Sequence, residues 1–372
     1  MALLNRAVRL LGPAHLAPRW QADVTISQVM DGVPDWVWHD FLVPLRSFEP
    51  LVADSPEHKM ITGALTHWRQ DRPGAVALLG TFGAGKTSLL HRIQVTLRDL
   101  PVAHHRFASR ILGQNQLLQQ LADSLGLPPG NLDDLAAHLQ AGPEQAILLD
   151  DCHLLFLRRP GGFAPLDLLL RLVRTTGRHI LWITAWNVYS WIYLEYLYRL
   201  SDHFAVVHNI SPQSQAEMQQ MLLARLRQIN LEVTWPADQE DAIFQTIWTR
   251  ARGRPALAQH IFLRSLATLG DGRFALHSAN IYRPPQQCQV KDGEETYALG
   301  SLIRHGMLTA RELASINHIS EAHAAAILAR TTASGLTMSL EPDFRLNPIH
   351  TDAIVAYLDS RRAISFREVQ AV

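Results

Sequence analysis

Residues Gly80-Thr81-Phe82-Gly83-Ala84-Gly85-Lys86-Thr87 constrain this chain more than any other stretch. They follow a short apolar run, Ala75 to Leu79, and open a helical pattern that continues to Leu97. A glycine-rich turn between a strand and a helix, closed by Lys-Thr, is the Walker A phosphate loop. Its glycines let successive backbone N–H groups turn inward, and the helix N-terminus adds its dipole. Gly80, Thr81, Phe82, Gly83, Ala84, Gly85, Lys86, Thr87 and Ser88 are therefore the expected nucleotide cradle. Lys86 would reach the β and γ phosphates, and the Thr87 hydroxyl would ligate Mg2+. Lysine usage sharpens this reading. Only three of the 34 basic residues are lysines, namely Lys59, Lys86 and Lys291. Arginine serves wherever a general cation suffices, yet the loop carries lysine.

A second apolar run, Gln145 to Leu149, ends in Asp150-Asp151. A carboxylate at a strand end near a phosphate loop suits Mg2+, so Asp150 is the expected Walker B metal residue. Asp151 is placed to polarise an attacking water. The alternative is that the pair caps the segment that follows. His153 reads either as a sensor touching nucleic acid or a neighbour, or as a structural histidine.

Around these motifs, apolar strands alternate with helices. Strands are expected at 75–79, 102–107, 145–149, 179–184 and 204–208, with helices at 56–70, 86–97, 114–125, 132–140, 164–175 and 189–200. Alternation of this kind predicts a parallel sheet covered on both faces. From Ser211 the pattern is helical, over 213–228, 236–251 and 255–268. Residues 270–295 read as irregular, and a compact helical pattern returns near Tyr297. The expected domains are an N-terminal extension (1–50), a P-loop ATPase core (51–210), a helical lid with linker (211–290) and a C-terminal domain (291–372).

The 372 residues balance 34 basic against 34 acidic side chains, with 47% hydrophobic and 18% charged. That is a globular composition, and it excludes a uniformly basic nucleic-acid-coating surface. Two well-separated cysteines, Cys152 and Cys288, imply neither a disulfide framework nor a zinc cluster. Residues 1–12 are apolar but interrupted by Arg6 and Arg9, which suits a short amphipathic helix rather than a signal peptide. No run approaches the roughly 20 apolar residues that span a bilayer. A cytoplasmic protein with no membrane span is expected.

With the two motifs in place, the chain resembles the AAA+ and STAND-type P-loop ATPases, and within them the initiator and transposition-helper clades. The resemblance covers roughly 45–270. An acid at position 151 fits the additional-strand class of P-loop ATPases, where glutamate is usual. The shorter Asp151 implies slow hydrolysis. The resemblance also implies a sensor-1 residue after the strand 179–184, with Thr184 and Asn187 both qualifying. It implies an arginine finger at Arg199, at the end of a helix that a neighbouring subunit would present. It implies a sensor-2 region at Arg252-Gly253-Arg254-Pro255, with Arg254 near the phosphates and Pro255 near the adenine. Arg199 reads equally as a solvated helix end, and Arg254 as a counter-charge to carboxylates.

Between these motifs, Trp186, Tyr189, Trp191, Tyr193, Tyr196 and Tyr198 form two aromatic faces. Either one face meets the core and one a neighbour, or the whole helix is buried. In the C-terminal domain, 308–314 and 321–334 read as a helix-turn-helix with a wing over 335–346, similar to the winged helix that follows the lid in origin-binding initiators. Its second helix carries one arginine, and residues 291–372 hold eight basic against ten acidic residues. DNA readers usually bring several cations to phosphates.

The expected fold is thus an α/β P-loop NTPase parallel sheet with a helical lid, followed by a winged-helix-like domain. The expected activity is that of an ATPase using ATP and Mg2+. It would be a switch controlling an unidentified protein partner through nucleotide-dependent lid movement. A homo-oligomer would supply Arg199 in trans. The alternatives are a DNA-associated AAA+ ATPase that binds duplex DNA, and a non-catalytic nucleotide-binding scaffold. A GTPase is disfavoured because no Asn-Lys-x-Asp guanine motif occurs.

Overall fold

The computed structural model describes residues 33–42, 49–70, 73–270 and 272–364. The amphipathic helix expected over 1–12 lies outside the described residues. The chain divides into two compact units. Among the described residues, the larger unit comprises those within 49–213, 254–257 and 284–364, and the smaller those within 33–42, 214–253 and 258–283.

The larger unit is built on five parallel strands: β1 (Ala75–Gly80), β2 (Val102–Arg106), β3 (Gln145–Asp150), β4 (Ile180–Asn187) and β5 (Val206–Asn209). Their spatial order is β2-β3-β4-β1-β5. β1, the phosphate loop and the helix Lys86–Thr96 follow one another directly, which makes this the P-loop α/β fold expected from the sequence. β1, β3 and β4 are interior strands, and their continuous apolar runs fit burial on both faces. One face packs Leu117, Leu121, Leu139, Leu169 and Leu172 from the helices Gln114–Leu125, Leu132–Ala141 and Ala164–Thr176. The other packs Ile61 and Trp68 from Pro56–Arg69, and Leu90 and Ile93 from Lys86–Thr96. The Ser55 hydroxyl caps the first of these helices by accepting from the His58 N–H.

β4 runs further than the sequence pattern suggests, to Asn187, because Ala185 and Trp186 are fully buried alongside β1. The aromatic helix that follows is α1 (Val188–Tyr198). Trp191 packs on Trp186 and Phe204, while Tyr193 stacks on Phe156 and Tyr198 on Phe163. Tyr189 joins the apolar core of the C-terminal module. The second face therefore has its neighbour within the chain, and among these residues Tyr196 is exposed.

That module contains α2 (Gly293–His305), β6 (Met307–Thr309), α3 (Ala310–Asn317), α4 (Glu321–Ala333), β7 (Thr337–Leu340), β8 (Asp343–Leu346) and α5 (Thr351–Ser360). The strands form an antiparallel sheet in the order β7-β8-β6. Thr309 and Glu312 make a capping box at α3, and Ser320 caps α4. The module is fastened to the sheet layer by Arg110. This buried guanidinium donates to the carbonyls of Phe156, His305 and Met307, and its Nε lies 3.2 Å from Glu312 Oε1. The Ser190 hydroxyl adds a bond to the Arg304 carbonyl.

The smaller unit is described by itself. It holds the helices Asp35–Leu42, Gln215–Ile229 and Glu240–Ala251 and a three-stranded sheet. Phe41 stacks on Phe262 at 5.5 Å between ring centroids, and the buried Arg225 donates to the Phe41 carbonyl. Asp35–Leu42, assigned from sequence to the N-terminal extension, packs within this unit. The helix expected over 255–268 ends at Arg264, and Ala267–Gly270 pairs with Arg273–Ala275 as a hairpin. Gly270 and Gly272 supply the left-handed backbone that its turn needs.

Among the described residues, no helix is long and apolar enough to cross a membrane. Removing Arg110 would strand the Glu312 carboxylate and several carbonyls in a buried place. Arg110→Met is expected to destabilise the larger unit by about 3–5 kcal/mol. Arg110→Met combined with Glu312→Met should recover part of that loss. Urea denaturation of the three proteins checks both outcomes.

Candidate functional site

All five strands are parallel, so their carboxyl ends share one edge of the sheet, where α/β folds place their ligands. β1 delivers Gly80 to this edge, and the loop turns from there into the helix at Lys86. Gly83 and Gly85 take left-handed backbone, with φ of 74° and 98°. A side chain at Gly83 would also collide with Ala256, 2.4 Å from its Cβ position. Glycine is thus required at both places. The loop curls around the Lys86 ammonium, which donates to the carbonyls of Gly80 (3.1 Å) and Thr81 (2.9 Å). Burial pushes the Lys86 ammonium down from its usual range, while Asp151 and Asp150 pull it back up.

β3 brings Asp150 and Asp151 to the same edge. Asp150 is fully buried. Its carboxylate accepts from the Thr87 hydroxyl at 2.6 Å and from the Asp151 N–H at 2.8 Å. Burial, then repulsion from Asp151, pushes Asp150 up to about 6, against the pull of Arg106. Asp151 itself takes a left-handed backbone, φ 56°. Burial would raise it too, but Arg106, His153 and Lys86 outweigh burial and hold it below its ordinary range. Arg106 donates from Nε to Asp151 Oδ2 at 2.8 Å and lies 3.8 Å from Asp150. The parallel register explains this placement, since Arg106 on β2 sits beside Asp150 on β3.

The other sequence candidates fall in different surroundings. Asn187 ends β4 directly beside Gly80. Its Oδ1 caps α1 by accepting from the Tyr189 N–H, and its Nδ2 donates to the Ile303 carbonyl at 3.5 Å. Thr184 is buried inside the sheet, where it donates to the Val76 carbonyl and accepts from Trp186 Nε1. Arg199 follows α1 in left-handed backbone and is exposed. Arg254 forms a two-pronged ion pair with Asp352 on α5, at 2.7 and 2.5 Å. The segment it begins lies on the phosphate loop: the Ala256 N–H donates to the Gly83 carbonyl, and Pro255 Cγ is 3.8 Å from the Cβ position of Gly85. Ser88 is the third residue of the loop helix.

His153 is buried under the C-terminal module, with its ring against Gly306 and Nδ1 4.0 Å from Asp151. Burial holds it down to about 4, so it is neutral at physiological pH and serves as a packing residue. Two residues not singled out from sequence also reach the site, Arg106 and Arg345. Arg345 on β8 stacks over the Phe82 ring, 4.7 Å from its centroid. In so arginine-rich a chain, nothing in the local sequence distinguishes either one.

The donor set suits an Mg-nucleotide. Thr87 and Asp150 hold a hydroxyl and a carboxylate within hydrogen-bond reach of each other. That is the small oxygen set from which Mg2+ binds when phosphates and water complete its shell. Among the described residues, no cluster of three or more His, Cys, Asp or Glu could form an all-protein metal cage.

No protein-family model and no curated protein sequence matches the chain. Among solved structures, it is similar to the ADP form of the Aeropyrum pernix ORC2 protein, at 14% identity and a TM-score of 0.48. That match covers 88% of this chain and 98% of the other. It is also similar to the Thermotoga maritima RuvB Holliday junction branch migration motor (15% identity, TM-score 0.38, 81% and 94% covered). A third likeness is to domain III of the Thermotoga maritima replication initiation protein DnaA (17% identity, TM-score 0.38, 57% and 84% covered).

The raised Asp150 carboxyl has a consequence for stability. Its folded pKa of about 6 stands above the unfolded value of about 3.9. Ionised Asp150 therefore destabilises the fold fully above pH 6, less as pH falls through 6, and not at all below about 4. Asp150→Asn keeps the shape and removes the charge. It is expected to raise the thermal midpoint of the nucleotide-free protein at pH 8, by less at pH 5, and not at pH 3. Scanning calorimetry at the three pH values checks this.

Proposed function

We propose that this chain binds ATP with Mg2+ at the Gly80–Ser88 loop and hydrolyses it slowly, as a switch that controls a partner protein. The observation that carries this reading is the meeting of Lys86, Thr87, Asp150 and Asp151 at one edge of the sheet. In this reading the loop N–H groups and Lys86 bind the phosphates. Thr87 and Asp150 hold Mg2+, which neutralises charge on the β and γ phosphates when bound. Asp151 orients the attacking water. Arg106 occupies one of its oxygens and keeps it ionised, which leaves the other to accept from the water. Pro255 and the residues around it line the loop beside the nucleotide. Arg254–Leu257 belong to the larger unit, while the residues on either side belong to the smaller one. A change at the loop can thus be passed along the chain to the helical unit acting as a lid. Arg199, exposed at the end of α1, is the residue a second copy would present in trans.

In this reading the C-terminal module is winged-helix-like, with α3 and α4 as the helical pair and β7–β8 as the wing. Its charges favour a protein partner over DNA. Arg330, the only arginine of α4, lies within 3.6 Å of Asp292, Glu294 and Glu295. His323 on the same helix is 2.9 Å from Glu294. The cations that a major-groove helix would bring to phosphates are engaged inside the module.

Phosphate release from ATP tests the reading. Wild type should turn over, and Lys86→Ala should lose nucleotide binding. Asp151→Asn should bind ATP normally but lose about 10²–10⁴-fold in turnover, the usual worth of a positioned general base. Duplex DNA at low salt is expected to leave the rate unchanged. A DNA-stimulated rate would instead support the DNA-associated ATPase. Tight binding without turnover would leave the scaffold reading.

A further inference from the structure

Residues 254–257 meet the phosphate loop on one side and the C-terminal module on the other, all within the larger unit. On the loop side, the Ala256 N–H donates to the Gly83 carbonyl at 3.2 Å. The Ala256 methyl lies 2.4 Å from where a Gly83 side chain would begin, and Pro255 Cγ lies 3.8 Å from the Cβ position of Gly85. The two loop glycines with left-handed backbone are thus the two on which this segment rests. Glycine has the most backbone freedom to lose, so these are the places where the loop most needs holding.

On the module side the segment is fastened by an ion pair. Arg254 donates from both terminal nitrogens to the two oxygens of Asp352, at 2.7 and 2.5 Å. A two-pronged pair fixes orientation as well as distance. The pair is partly withdrawn from water, with 16% of the Arg254 side chain and 32% of the Asp352 side chain exposed, so solvent screens it less than a surface pair. Asp352 lies in the first turn of α5, where the helix dipole favours a carboxylate. Tyr189 on α1 adjoins the pair. Burial, then the Asp352 carboxylate, pushes the Tyr189 phenol up to about 12, against the pull of Arg254.

We propose that Asp352 is a positioning residue of the nucleotide site: it holds Arg254, and through it residues 254–257, against the phosphate loop, so that the C-terminal module keeps the loop in its binding shape. The inference rests on the nucleotide reading of the Gly80–Ser88 loop. A loop already held in its bound shape loses less entropy when the phosphates arrive. Asp352 acts on the loop and not on one phosphate, so it favours diphosphate and triphosphate equally. A change in the module that draws Asp352 away loosens both.

The test uses the full chain as wild type, Asp352→Asn, Asp352→Glu, Arg254→Gln and the double variant Arg254→Gln/Asp352→Asn, with Lys86→Ala as the control for the site. Hydrogen exchange of the nucleotide-free proteins is read first. Amides of 81–87 should exchange about tenfold faster in Asp352→Asn, while those of β1 and β3 stay as in wild type. Titration with fluorescent mant-ATP and mant-ADP in Mg2+ should then show both weakened by the same factor, about 5- to 50-fold. Asp352→Glu, which keeps the charge, should stay near wild type, and the double variant should be no weaker than Arg254→Gln alone. Unchanged exchange at the loop in Asp352→Asn, or additive losses in the double variant, would overturn the proposal. If β1 and β3 also lose protection, the charge-swapped pair Arg254→Asp/Asp352→Arg decides. Recovery of protection at the loop sustains the proposal, and none overturns it. If wild type and Lys86→Ala bind nucleotide alike, the nucleotide reading falls, while exchange in the nucleotide-free proteins still judges the hold of Asp352 on the loop.

Discussion

The buried carboxylate of Asp150 is the constraint to which the rest of the site answers. A carboxylate removed from water demands hydrogen bonds and a counter-charge. Here these come from Thr87 on the loop helix, from the backbone of Asp151, and from Arg106 on the adjoining strand. The demand ties β2, β3 and the loop helix together at one edge of the sheet. It also leaves Asp150 strained electrostatically, since burial and Asp151 together outweigh what Arg106 and Thr87 return. Such a site is less stable empty than an uncharged one would be, and a cation at Asp150 would relieve it.

A second buried charge, Arg110, organises the module in the same way. Its guanidinium satisfies carbonyls from the segment after β3 and from the turn between α2 and β6, and pairs with Glu312 at the start of α3. One side chain thus closes several ends that would otherwise be left unsatisfied. The module is held with Gly306 against His153 and with β8 facing Phe82. Glycine at 306 matters because a Cβ there would meet the His153 ring at 2.5 Å.

Much of this was readable from residue order. The apolar runs at 75–79 and 145–149 read as buried strands of a parallel sheet, and the loop between strand and helix followed from its glycines. Ser320 marks the start of α4 by its own hydroxyl. Other features were not readable, for physical reasons. The hairpin at 267–275 is short and mostly exposed on its first strand, so it carries little apolar period. The two polar groups of Asn187 bond to α1 and to α2, and the second of these partners lies 116 residues further along the chain. The aromatic face of α1 found its neighbour in the same chain, because Tyr189 packs into a core assembled from residues a hundred positions later.

By itself the sequence determined the local pattern: a glycine-rich turn between a strand and a helix, a pair of aspartates at a strand end, and a parallel α/β sheet. These depend on neighbours within a few residues, and so on backbone conformation and the period of burial. Only the tertiary structure decided which charges meet them. Arg106 faces Asp151 because of strand register, Arg254 faces Asp352, and Arg345 faces Phe82 because of how the module packs. Electrostatic partners are chosen by distance in space, and spacing along the chain carries no record of that distance.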